Sequence, residues 1–207
     1  MAASAKIDLV DVANEPKPYG RSFFERAPDD VARDLLGSLL QVRDKQQTRR
    51  ARIVETEAYA GFDDPGSHAY RGPTPRNAVM FGPAGFLYVY LIYGMHWCVN
   101  VVTEGEGVPS AVLLRGAMLL GDDDADAAVN LRGPGNLTKG LAITGSDSGI
   151  DCCDPESRVS FLPRQSPIAP SAIGISRRIG LSKGRERESR YYLEGDAGVS
   201  KIPLADR

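Results

Sequence analysis

Two strand-like runs flank a polar turn early in the chain: Leu39 to Arg43 and Arg50 to Tyr59, joined around Asp44-Lys45-Gln46. A second pair follows. Phe86-Leu87-Tyr88-Val89-Tyr90-Leu91-Ile92 is rich in aromatic and β-branched residues, and Met95 to Val102 reads the same way after Tyr93-Gly94, which is a hairpin signal. Helix signals are fewer. Pro28 to Gly37 has proline in its first turn, Asp29 and Asp30 near its start and glycine just past its end. Thr74-Pro75 reads as a helix start with Thr74 as N-cap, Asp122 to Leu131 as a short acid-capped helix, and Gly133-Pro134-Gly135-Asn136-Leu137 as the opening of a helix through Ile143. Tyr191-Tyr192-Leu193 and Val199 to Leu204 read as short strands.

The hairpin has a register to satisfy. A two-residue Tyr93-Gly94 loop would pair Ile92 with Met95 and put Tyr90 and Asn100 on opposite faces. A three-residue loop, Tyr93-Gly94-Met95, pairs Ile92 with His96 and Tyr88 with Asn100, leaving Tyr90 and Asn100 on one face. The longer loop, or a bulge, is expected if both residues serve one pocket.

Polar residues break the apolar pattern most sharply in the first long strand. Alternation points Ile53, Glu55, Glu57 and Tyr59 one way. An acid that faces a core is paired or used. The structural reading is that Arg50, Arg52 or Arg76 neutralises one of them, and the functional reading, favoured for Glu57, is chemistry. Tyr93 at a hairpin tip is either partly packed surface or a wedge of the kind that enters a base stack. His68 follows Asp63-Asp64-Pro65-Gly66 and so lies on a loop.

Composition adds bounds. The 207 residues suit one folded unit, with 42% apolar and 25% charged residues, the balance of an ordinary globular protein. Residues 1–20, with Pro16 and Pro18 among small and polar residues, read as a flexible tail, and 21–207 as a single domain without repeat or linker. No apolar run reaches the length of a membrane span, and the N-terminus lacks a basic region followed by an apolar one. Cys98, Cys152 and Cys153 form no regular framework, and with two histidines and no Cys-x-x-Cys neither disulfides nor a metal site is expected.

The net charge of -2 gives no overall attraction for a polyanion such as nucleic acid. The charge is uneven, however. Arg177, Arg178, Lys183, Arg185, Arg187 and Arg190 cluster against Glu186 and Glu188, while Asp122, Asp123, Asp124 and Asp126 concentrate acid elsewhere. The basic segment is either a solvated face or a surface for a DNA backbone.

Glu55-Thr56-Glu57-Ala58-Tyr59, Thr74-Pro75-Arg76-Asn77, Tyr88-Val89-Tyr90 and Tyr93-Gly94-Met95, in this order and spacing, resemble the alkyladenine (3-methyladenine) DNA glycosylases. The likeness runs from about Arg21 to the C-terminus. It implies an α+β fold, a mainly antiparallel curved sheet with a protruding hairpin and flanking short helices.

It also implies roles. Glu57 would be the general base, with Arg115 a site arginine. Tyr59, His68 and Tyr90 would sandwich a flipped purine, Asn100 would screen out the amino group of normal guanine, and Tyr93 would intercalate. Tyr90 and Asn100 would thus serve one pocket, the condition for the longer hairpin loop. Thr74, Arg76, Arg177, Arg178 and Lys183 are candidates for the DNA backbone. His96, Trp97, Ala78 and Val79 are departures from the family pattern that would retune the pocket. No lysine lies between Arg50 and Arg115, so water, with no cofactor or metal, is the expected nucleophile and no strand cutting is expected. The partner would be double-stranded DNA carrying a damaged purine, met by a monomer in the cytoplasm and nucleoid of a bacterial cell. Two other classes fit the residues: a damage-binding protein without catalysis, or a small-sugar glycosidase using Glu55 and Glu57 as its carboxylate pair.

Overall fold

The computed structural model describes residues 16–45, 47–121 and 129–201. Its frame is an antiparallel sheet of eight strands: β1 (Leu39–Arg43), β2 (Thr48–Tyr59), β3 (Leu87–Ile92), β4 (His96–Thr103), β5 (Ser110–Leu120), β6 (Val159–Leu162), β7 (Ile173–Ser176) and β8 (Arg190–Leu193). The main path runs β3-β4-β5-β2-β1-β6, with β8 added to β2 and β7 to β8. Short helices flank this curled sheet: α1 (Arg21–Phe24), α2 (Pro28–Asp34) and α3 (Pro134–Gly140). The class is the α+β one expected.

Strand β2 is the trunk. Its first half pairs with β1, from Leu39↔Arg52 to Arg43↔Thr48, while Glu55, Thr56 and Glu57 pair with Tyr192, Tyr191 and Arg190 of β8. Strand β5 runs along its other edge, and there the register slips twice, past Val54 on β2 and past Arg115 on β5. The sheet forks where the bulge lies, as bulges re-aim side chains and bend strands. The simple alternation expected from Ile53 to Tyr59 therefore breaks at Val54. Ile53 packs in the main core, and the acids after it turn toward Arg115.

Beyond the bulge, period two holds and sorts the side chains into two cores. Leu87, Val89, Val99, Val101, Val112 and Leu114 join Val31, Ala32, Leu35 and Leu36 around α2 in the larger one. Tyr88, Val102 and Ala111 face the other way and pack with Ala69 and Met80 in a smaller cluster. The Thr56 hydroxyl donates to the Ala32 carbonyl at 2.9 Å and pins α2 to β2. The hairpin has the register of the longer loop: Ile92↔His96, Tyr90↔Cys98 and Tyr88↔Asn100.

Three boundaries differ from the expectation. Thr74-Pro75 starts no α-helix. The Thr74 amide and hydroxyl both donate to Asn77 Oδ1, at 2.6 and 2.9 Å, and this local competition closes a turn before a single 3₁₀ turn, Ala78–Phe81. Helix α3 stops at Gly140 short of Ile143, because Ala142 turns left-handed at φ 53°. Residues 199–201 lie outside any strand, and the rest of that expected strand, like Asp122 to Ala128 of the acid-capped helix, lies outside the described residues. Tyr19 already belongs to the packed body: its ring stacks on Phe23 with centroids 3.7 Å apart, and its amide donates to the Phe161 carbonyl.

Candidate active site

A cavity of about 460 Å³ opens on the face that carries the smaller core. Tyr59 from the end of β2, His68 from the following loop, Tyr90 from β3, Asn100 from β4 and Arg115 from the β5 irregularity all line it, and Tyr93 reaches its rim. The residues expected to hold a base are thus brought together. Tyr88, Cys98, Leu113 and Ile179 also line it and had not been singled out. Alternation with Tyr90 was the available signal for Tyr88; nothing local marks Ile179.

Glu57 does not line the cavity. It is fully buried immediately behind the wall, and the groups that hold it are themselves wall residues. The Tyr59 hydroxyl donates to Oε2 at 2.8 Å, the Ile179 amide donates to Oε1 at 2.8 Å, and the Arg115 guanidinium lies 3.3 Å from Oε1. Burial, then the Glu57 charge, pushes the Tyr59 hydroxyl well above its usual value, so it remains a donor. For Arg115 burial acts to lower the pKa, but the charges of Glu57 and Glu55 outweigh it and the guanidinium stays charged.

The aromatic wall is a contiguous set. The His68 and Tyr90 rings meet edge to face at 4.4 Å, and Tyr88 lies 5.3 Å from Tyr90. His68 Nδ1 and the Tyr88 hydroxyl are 3.0 Å apart. Burial, and then the charge of Arg76, lowers the His68 pKa, which favours a neutral ring, while burial pushes Tyr88 up to about 12. Asn100 is oriented by its amide, which donates to the Tyr88 carbonyl at 3.0 Å. The rings and the edge amide form a slot that a planar heterocycle could enter.

Glu55 has a different fate. Its partners are Arg190 at 2.7 Å and Arg115 at 3.3 Å, and Ser200 donates to it from both amide and hydroxyl. None of the three arginines proposed to neutralise these acids does so: Arg50 donates to Gln41, Arg52 pairs with Asp196, and Arg76 donates to the Leu91 carbonyl. With Glu55 saturated and walled off, the two acids are not a free carboxylate pair of the sugar-glycosidase kind.

The expected DNA-backbone residues divide. Thr74, Arg76, Arg177 and Lys183 are exposed. Arg178 is not: at 3% exposure it forms a two-pronged pair with Asp64, Nη2 to Oδ1 at 2.7 Å, and its guanidinium lies over the Tyr59 ring. Arg190, in the same basic segment, is likewise buried on Glu55. A run of charge in sequence does not say which of its members face solvent. His96, Trp97, Ala78 and Val79 do not line the cavity; Trp97 instead packs against Gly145 and accepts from Thr138 through its carbonyl. At the hairpin tip Tyr93 is 81% and Met95 71% exposed. Among the described residues no cluster of three or more His, Cys, Asp or Glu side chains could hold a metal ion.

The sequence model of the methylpurine-DNA glycosylase family matches residues 22–197. The chain belongs to that family. Relatives agree along nearly their whole length. A protein of Anaeromyxobacter sp., provisionally named 3-methyladenine DNA glycosylase, is 47% identical over 187 residues, 88% of this chain and 92% of the relative. Proteins with the same provisional name from Myxococcus xanthus and Methanoculleus marisnigri are 46% and 43% identical, covering 90% and 87% of this chain and 95% and 97% of their own. As a methylpurine-DNA glycosylase family member, the chain is a DNA repair enzyme, a hydrolase of N-glycosidic bonds.

Proposed function

We propose that this enzyme extrudes an alkylated or deaminated purine, of the 3-methyladenine or hypoxanthine type, from duplex DNA and hydrolyses its bond to the sugar with a water activated by Glu57. The observation that carries the reading is the convergence of Tyr59, His68, Tyr90 and Asn100 on one cavity whose wall groups, Tyr59, Arg115 and Ile179, all touch Glu57. A base within a duplex is out of reach, so the nucleotide must leave the stack. The exposed Tyr93 fills the gap it leaves.

In the free chain Glu57 has no contact with solvent. The reading therefore requires Tyr59, Arg115 and Ile179 to part for one water once the nucleotide is seated, in keeping with catalytic contacts that form fully only in the complex. The bond then breaks through an oxocarbenium-like sugar while Glu57 takes the proton of the water. Arg115, charged and beside Glu57, orients that water. Asn100 tests the edge of the base, and Thr74, Arg76, Arg177 and Lys183 supply the exposed polar groups and cations for phosphates. Among the described residues no lysine lines the cavity, which supports a water-dependent reaction without a Schiff base and without strand cutting. No helix of the described residues is long and apolar enough to cross a membrane.

The test is single-turnover base release from duplexes holding hypoxanthine or 3-methyladenine. Glu57→Gln is expected to lower the rate by about 100-fold or more while lesion DNA still binds. Equal rates for wild type and variant would remove Glu57 from the role of base. Binding without release of either base by the wild type would favour a damage-binding protein.

A further inference from the structure

Glu55 lies two residues before the acid just assigned as general base, and its oxygens are fully engaged. Oε1 accepts from Arg190 Nε at 2.7 Å, Ser200 Oγ at 2.7 Å and Arg115 Nε at 3.3 Å, while Oε2 accepts from the Ser200 amide at 2.6 Å. Glu55, Glu57, Arg115 and Arg190 form a buried group of two acids and two cations, and Arg115 alone of the four lines the cavity. Gripped by Glu57 alone, a planar guanidinium could pivot about its Nη1 contact. The second grip, at Nε, fixes its plane.

Half of the donors that hold Glu55 come from one residue near the end of the chain. Ser200 is led there by a close backbone approach: a Cβ on Gly116 would lie 2.5 Å from the Gly198 carbonyl oxygen, so neither position has room for a larger residue. Asp196 reinforces the path, accepting from the Gly198 amide at 2.9 Å and pairing with Arg52 at 2.7 Å. Ser200 also accepts from Arg190 through its carbonyl. Gly198 and Ser200 themselves lie past residue 197, where the match to the family model ends.

We infer that Ser200, acting through Glu55, is a positioning residue for Arg115, and that the stretch 198–200 is a latch behind the active site on which the chemical step depends. Without the Ser200 donors, a buried carboxylate facing two arginines has unfilled lone pairs and turns to satisfy them, carrying Arg115 with it. Ser200 never touches the nucleotide. The inference rests on the reading of Glu57 and Arg115 as reacting groups.

The experiment compares Ser200→Ala, Ser200→Thr, Glu55→Gln and Glu57→Gln in single-turnover hypoxanthine release with enzyme in excess. Affinity for a duplex holding an uncleavable abasic analogue is measured beside it. Ser200→Ala is expected to slow release about tenfold, the scale of one hydrogen bond to a charged group, with affinity unchanged, and Ser200→Thr to restore the rate. Glu55→Gln slows it further. Wild-type rates in Ser200→Ala well below its melting temperature would overturn the inference while leaving Glu57 in place. So would a loss that Ser200→Thr does not rescue, or one seen only in affinity. If Glu57→Gln also releases base at the wild-type rate, the proposed reaction fails and the latch fails with it.

Discussion

Arg178 holds its guanidinium 4.5 Å from the centre of the Tyr59 ring. Tyr59 lines the cavity and Arg178 does not, so the cation backs the face turned away from the slot. Its counter-ion, Asp64, also accepts from the Gly66 and Ala60 amides and so pins the loop that carries His68. Arg178 further donates to the Ala58 and Gly184 carbonyls. One buried ion pair thus joins the Tyr59 side of the cavity to the His68 side.

Removing one partner of that pair strands the other. Arg178→Ala is expected to cost about 3–5 kcal/mol of folding stability, because it leaves Asp64 uncompensated in the interior. Arg178→Ala with Asp64→Asn should be less destabilised than the sum of the two single changes. Urea unfolding of the four proteins measures the coupling.

The same pair sets an acid limit. Burial acts to raise the Asp64 pKa, but the hydrogen bonds and charge of Arg178 prevail and hold it below the usual carboxylate value. A lowered folded-state pKa contributes stability that is complete above the unfolded value of about 3.9 and is lost as pH falls through the folded value. Stability measured from pH 6 downward should therefore fall more steeply below about pH 4 in wild type than in Asp64→Asn.

His68 offers a second pH signature. With its pKa lowered by burial and by Arg76, its ring signal in a proton NMR titration should have a midpoint below the usual value of about 6.5. Arg76→Gln should move the midpoint upward. The stability that the neutral ring contributes is present above the usual value and is lost as pH falls through the lowered one.

Tyr93 carries backbone strain at an exposed tip, with φ at 53° in the left-handed region. A non-glycine residue there costs roughly 1 kcal/mol. Tyr93→Gly should unfold at a temperature no lower than wild type and higher than Tyr93→Ala, while both bind lesion DNA more weakly to a similar degree. A thermal melt beside a binding titration separates the tip's conformational cost from its contact with DNA.

The sequence was most informative where a short-range rule acts alone. With Tyr90 and Asn100 assigned to one pocket by the family resemblance, strand alternation was enough to choose the three-residue hairpin loop, and the apolar pattern placed β1 to β4. Proline, acids and glycine likewise bracketed α2. What it could not carry were relations between distant positions. Arg178 and Asp64 lie 114 residues apart and Arg190 and Glu55 lie 135 apart, and nothing local distinguishes those arginines from exposed Arg177. The bulge at Val54 was hidden for a related reason: it arises where β2 changes partner from β1 to β8, and partner choice is not written within one strand. The turn at Thr74 was misread because its threonine and proline fit a helix start, while the deciding acceptor was Asn77.

Because β2 is hydrogen-bonded along both edges, to β5 on one and to β1 and β8 on the other, its amides should be released to solvent only when the whole sheet comes apart. Glu57 rides on that strand, whereas the wedge and the His68 loop hang from the margin. Heat should leave the acid in place until global collapse, so any activity lost below the melting temperature would report on the wedge and the His68 loop, not on the acid.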